Sequence, residues 1–104
     1  MRMELSEKEL KAYGVVGTVI IKSMTVGQEG QLAEEVDKQT RKLGYSPIGY
    51  ATRRLLNFCV EEAPFATDME SLKEQDSALA EYIAEKYNEM CHPLSKTSSD
   101  EDQS

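Results

Sequence analysis

Apolar and polar positions change period several times along the chain, and each change predicts an element. Residues 15–21 read "VVGTVII", and β-branched side chains of this kind suit a pleated backbone, so a strand is predicted from about Val15 to Ser23. A lone strand needs a neighbour. The segment before it, folded back as a hairpin, and the same strand of a second subunit are both candidates. Upstream, "LSEKEL" places Ser6 three residues before Glu9, the spacing of a capping box, and predicts a short helix up to Tyr13, stopped by Gly14. Downstream, "KSMTVGQEGQL" changes backbone state at Thr25, which can cap the next helix while Gln28 returns the bond. That helix carries Leu32, Val36, Thr40 and Leu43 on one stripe and ends at Gly44. Gly27 and Gly30 weaken its first turn.

Structure restarts at "YSPIGY", where Ser46 is placed as the cap and Pro47 as the first helical residue. Ile48, Ala51, Leu55, Phe58 and Cys59 recur at helical spacing as the core face of a helix ending near Glu61, before Pro64. Thr67 and Glu70 predict another capping box over about two turns. Asp76 then opens a last helix with Leu79, Tyr82, Ile83, Tyr87 and Met90 on its apolar face. After His92 the segment "PLSKTSSDEDQS" has no periodicity and reads as disordered. The expected fold is therefore mainly α (α+β): a short N-terminal helix and a strand or hairpin, then a compact bundle of three to four helices. It forms one domain over residues 1–93, with 94–104 as an acidic tail.

Composition narrows the function. Of the 104 residues, 39% are hydrophobic and 30% charged, which suits a globular protein and leaves no stretch able to span a membrane. The first thirteen residues lack the apolar core of a secretory leader, so a cytoplasmic location is expected. The net charge of −7 disfavours general binding to phosphate backbones. That charge is unevenly spread. Residues 22–54 hold six Lys and Arg against four carboxylates, whereas residues 55–104 hold three lysines against twelve. Such asymmetry steers partners or orients self-association.

Candidate chemistry is sparse. Cys59, Cys91 and the lone His92 lack a fourth ligand at a familiar spacing, so no metal site or cofactor is expected. With one histidine, at a helix end, no nucleophile–base pair can be assembled. The carboxylates read as solvated helix surface, and no catalytic residue is assigned. "TVGQEG" lacks the lysine of a phosphate-binding loop and the spacing of a dinucleotide fingerprint. Two helices joined by "LGYSP" over residues 32–60 do have the outline of a helix-turn-helix. In that alternative, a small DNA-binding regulator presents Ser46, Tyr50, Arg53 and Arg54 to a groove and its phosphates.

Over residues 18–90 the order of signals is similar to that of bacteriophage tail assembly chaperones. "VIIKSMTVGQEGQL" resembles their β-type segment leading through a threonine-capped corner into a helix. "ATRRLLNFCVEEAP" resembles their central helix, and "MESLKEQDSALAEYIAEKY" their closing pattern, in which an aspartate opens the last helix. Gly27, Gly30 and the Cys91-His92 end depart from that pattern. The resemblance implies a non-enzymatic, non-structural viral protein in the cytoplasm of a bacterial host. Such a protein keeps the long helical tape-measure protein soluble, helps recruit tail-tube protein, and can form a homo-oligomer. Many members also exist in a longer, frameshifted form. On this reading Val19, Ile21, Met24, Leu32 and Val36 lie near the partner surface, and Lys38, Arg41, Arg53 and Arg54 supply its polar rim. In the DNA-binding alternative those four cations contact phosphate instead.

Overall fold

The chain was analysed as a computed structural model, which describes residues 1–92. The expected tail at 94–104 lies outside the described residues. The fold is mainly α with a small sheet, in the order β1 (Arg2–Glu4), α1 (Glu7–Ala12), β2 (Ile20–Lys22), α2 (Val26–Leu43), α3 (Ile48–Cys59), β3 (Val60–Glu62), α4 (Met69–Lys73) and α5 (Ser77–Cys91).

The predicted strand is shorter than expected and gains two neighbours. Val15 to Gly17 do not pair: Val15 N–H closes the end of α1 on Leu10 O at 3.0 Å, and Gly17 turns the chain at φ 134. An added Cβ at Gly17 would lie 2.9 Å from Pro64 Cβ, so this turn is held tightly against the loop after β3. Pairing starts at Val19, whose carbonyl accepts from Leu5 N–H. The preceding segment supplies one neighbour: β1 runs antiparallel to β2 in the register Arg2–Lys22, Met3–Ile21, Glu4–Ile20, with α1 inside the connection. The second neighbour, β3, was not expected. Helix α3 ends at Cys59, before Glu61, and Val60–Glu62 straightens to pair with the other edge of β2, making the order β1-β2-β3. Both outer strands are three residues long and charged, and Arg2 Nε reaches across to Glu61 Oε2 at 2.7 Å. Short charged edges resist pairing with further strands.

Most helix caps follow from local chemistry. Ser6 Oγ accepts from Glu9 N–H, but the Glu9 carboxylate accepts from Tyr82 Oη at 2.6 Å, so only half of the expected capping box forms. At α2 both halves form: Gln28 N–H donates to Thr25 Oγ1 at 3.1 Å and Thr25 N–H to Gln28 Oε1 at 3.0 Å. Gly44 closes α2 at φ 79, a left-handed conformation that costs a side chain dearly. Two caps shift by one residue. Pro47 rather than Ser46 precedes the first turn of α3, with no side-chain cap. Asp68 rather than Thr67 caps α4, taking Ser71 N–H and Oγ at 3.1 and 2.8 Å, while Thr67 O accepts from Asn57 Nδ2. Asp76 caps α5 through Ala78 N–H at 2.8 Å.

The core is built around α5, whose Leu79, Tyr82, Ile83, Tyr87 and Met90 are buried. Leu5, Leu10, Val19, Ile21, Leu56, Cys59 and Leu72 complete it. Helix α3 is rotated relative to expectation: Leu56 and Cys59 point inward, whereas Ile48 is exposed. Helix α2 packs against α3 and contributes no fully buried residue. No helix among the described residues is long and apolar enough to cross a membrane.

Candidate partner-binding groove

The corner between β2 and α2 fixes a half-open apolar surface. Ile21 anchors β2 in the core, and Met24 N–H donates to Tyr87 Oη at 3.0 Å, tying the corner to α5. Burial pushes the Tyr87 hydroxyl up to about 12, so it stays protonated and neutral at that contact near pH 7. The capping box then launches α2 over the body, where only one side of its apolar stripe meets α3.

The other side is open. Met24, Leu32, Ala33 and Val36 line a groove of about 520 Å³. Thr40 continues the row, with its hydroxyl satisfied by Val36 O at 2.8 Å. Glu29 and Asp37 supply the polar margin. By helical spacing Val26, 87% exposed, extends the row of Ala33 toward the N-terminus. The groove therefore offers an aliphatic strip edged by two carboxylates.

The nine candidate residues separate into distinct environments. Val19 and Ile21 are 0% exposed and belong to the core, so neither reaches a partner in this conformation. Their strand alternation marked them as apolar without saying which surface they faced. Met24, Leu32 and Val36 converge in the groove. Lys38 is exposed, and Arg41 is exposed beside Asp37 at 3.2 Å.

Arg53 and Arg54 are structural in their contacts. Arg53 Nε donates to Leu72 O at 2.9 Å and Nη2 to Gln75 O at 3.1 Å, fastening α3 to the turn between α4 and α5. Arg54 forms a bidentate pair with Glu35 at 2.8 and 3.1 Å, donates to Asn57 Oδ1 at 2.6 Å, and lies 4.2 Å from the centre of the Phe58 ring. Hydrogen bonding to Arg54 holds the Glu35 carboxyl below the usual carboxylate range. The two guanidinium groups that the DNA-binding alternative needs are thus engaged within the fold.

Ala33, Glu29 and Asp37 were not singled out from sequence, and Thr40 was read there only as part of the helix stripe. Their signal was present in the spacing, since Glu29, Ala33, Val36 and Thr40 follow one another at three or four residues along one helix face.

No protein-family model, curated protein or solved structure matches the chain.

The two thiols lie near one another and near Tyr87 at the C-terminal half of α5. Cys59 is buried, and burial pushes its thiol up to about 12. Cys91 is half-buried and His92 is exposed at the end of α5. Among the described residues no three His, Cys, Asp or Glu side chains gather closely enough to hold a metal ion.

Proposed function

We propose that the protein is a non-enzymatic assembly chaperone of the phage tail type, which holds an apolar helical stretch of the tape-measure protein along α2 and assists tail-tube assembly. The observation that carries this reading is the open apolar side of α2: an 18-residue helix with no buried residue, whose Leu32, Ala33 and Val36 join Met24 in a groove. An amphipathic helix laid into an apolar groove is a recurrent mode of recognition. Methionine at its floor adapts to varied side chains. The phage-type part of the reading is supported by the sequence resemblance over residues 18–90 alone.

The test is co-expression with the tape-measure protein, scored by how much of that client stays soluble and co-purifies. Client recovery is expected with the native chain and lost in the Leu32→Asp/Val36→Asp variant, with far-UV circular dichroism confirming that the variant folds. Unchanged client solubility, together with salt-sensitive retention on duplex DNA that falls when Lys38 and Arg41 become alanine, overturns the proposal.

A further inference from the structure

The margin of the groove constrains what can occupy it. Glu29 and Asp37, which both line the groove, are eight residues apart on α2, about 12 Å along the helix axis. Glu29 makes no ion pair with another described residue. Among the described residues Asp37 pairs only with Arg41, its neighbour one turn on, and both side chains are well solvated, so a partner's cation can displace Arg41 at little cost. Among the neighbouring cations, Arg54 is held by Glu35, Asn57 and Phe58 and Arg53 by backbone carbonyls, while the exposed Lys38 and Lys42 are not among the residues lining the groove. A neutral apolar helix lowered into the groove would strip water from Glu29 with no partner to replace it, and from the solvated Asp37–Arg41 pair, which is unfavourable.

Resting on the chaperone reading, we infer that the groove receives a cationic amphipathic helix, with an aliphatic stripe flanked by two Lys or Arg side chains seven or eight residues apart. A helix lying nearly along α2 brings cations at that spacing to Glu29 and Asp37 while its stripe meets Leu32, Ala33 and Val36. The chain's own residues 93–104 have the wrong sign, carrying Asp100, Glu101 and Asp102 against Lys96.

Two designed helical peptides of about 20 residues test this. Both carry the same leucine stripe, and they differ only in having Lys or Glu at two flanking positions seven apart. Binding to the full chain is followed by fluorescence anisotropy. The Lys peptide is expected to bind about tenfold more tightly, since each exposed pair contributes at most about fivefold. The preference should vanish in Glu29→Gln/Asp37→Asn and reverse in Glu29→Lys/Asp37→Lys, while Val36→Asp removes both peptides. Equal binding of the two peptides overturns the charge inference and leaves the groove reading standing. If neither binds and Val36→Asp has no effect, the groove reading falls as well. A dimer by light scattering that Val36→Asp dissociates would assign the groove to a second copy, and equal tightening of both peptides by Leu94→Asp would assign it to residues 93–104. Either result overturns the inference.

Discussion

Replacing Arg54 by alanine separates a structural guanidinium from a phosphate contact. The side chains of Arg54 and Glu35 are 18% and 28% exposed, so their bidentate pair is partly shielded, whereas Arg41 and Asp37 are 80% and 58% exposed. Removing Arg54 loses the ion pair, worth about 1 kcal/mol at the upper end for such sites. It also loses the cation–π contact with Phe58, about 0.5 kcal/mol, and the hydrogen bond to Asn57, about 0.5 kcal/mol. The expected destabilisation is about 2 kcal/mol, or a fall in Tm of roughly 10 °C for a domain of this size. Arg41→Ala should cost less than about 0.5 kcal/mol. Urea denaturation of both variants, with Glu35→Gln and the double variant completing a cycle, measures these values and the coupling between Arg54 and Glu35. A loss at Arg54 below about 0.5 kcal/mol, or no coupling with Glu35, refutes the structural assignment and returns Arg54 to the surface.

Four further outcomes follow from the same geometry. Gly30→Ala should stabilise the protein by about 0.5–1 kcal/mol, because Gly30 is helical and an added Cβ meets open space. Gly17→Ala should destabilise it by more than about 1 kcal/mol, since its φ is left-handed and Pro64 occupies the space, and thermal denaturation reads both signs. The Glu35 carboxyl titrates below its unfolded value near 4.3, so its stabilisation is full above that pH and is lost as pH falls through the folded value. Arg54→Ala should flatten this acid limb of the stability curve. Native protein treated with a thiol-specific disulfide reagent near pH 8 should label Cys91 first. Cys59, with its thiol held at about 12, should react only as the protein unfolds, and equal native rates would contradict its burial.

Local rules were readable in the chain wherever a side chain acts within four residues of itself. Ser6, Thr25 with Gln28, Gly44 and Asp76 sit where hydrogen-bonding chemistry placed them, and the apolar face of α5 follows its spacing. What depended on distant partners was less legible. The β1 and β3 strands are three-residue segments whose extended state comes from pairing with β2, and neither has a periodicity long enough to read. Glu9 left its own cap because Tyr82, 73 residues away, presents a hydroxyl. Arg54 looked like a free surface cation because Glu35, 19 residues away on α2, meets it only in three dimensions. Leu32, Val36 and Met24 were identifiable as apolar, but their openness depends on α2 meeting α3 along one side alone.

That partial docking also bears on how firmly α2 is held. Helix α2 is held by the Met24–Tyr87 hydrogen bond, the Glu35–Arg54 pair and one half-covered stripe, while the buried side chains of α1, β2, α3, α4 and α5 form the core without it. Fewer buried contacts therefore hold α2 than hold the elements of the core, the condition under which local opening separates from global unfolding. A surface helix held this lightly has room to adjust on its open side without disturbing the core.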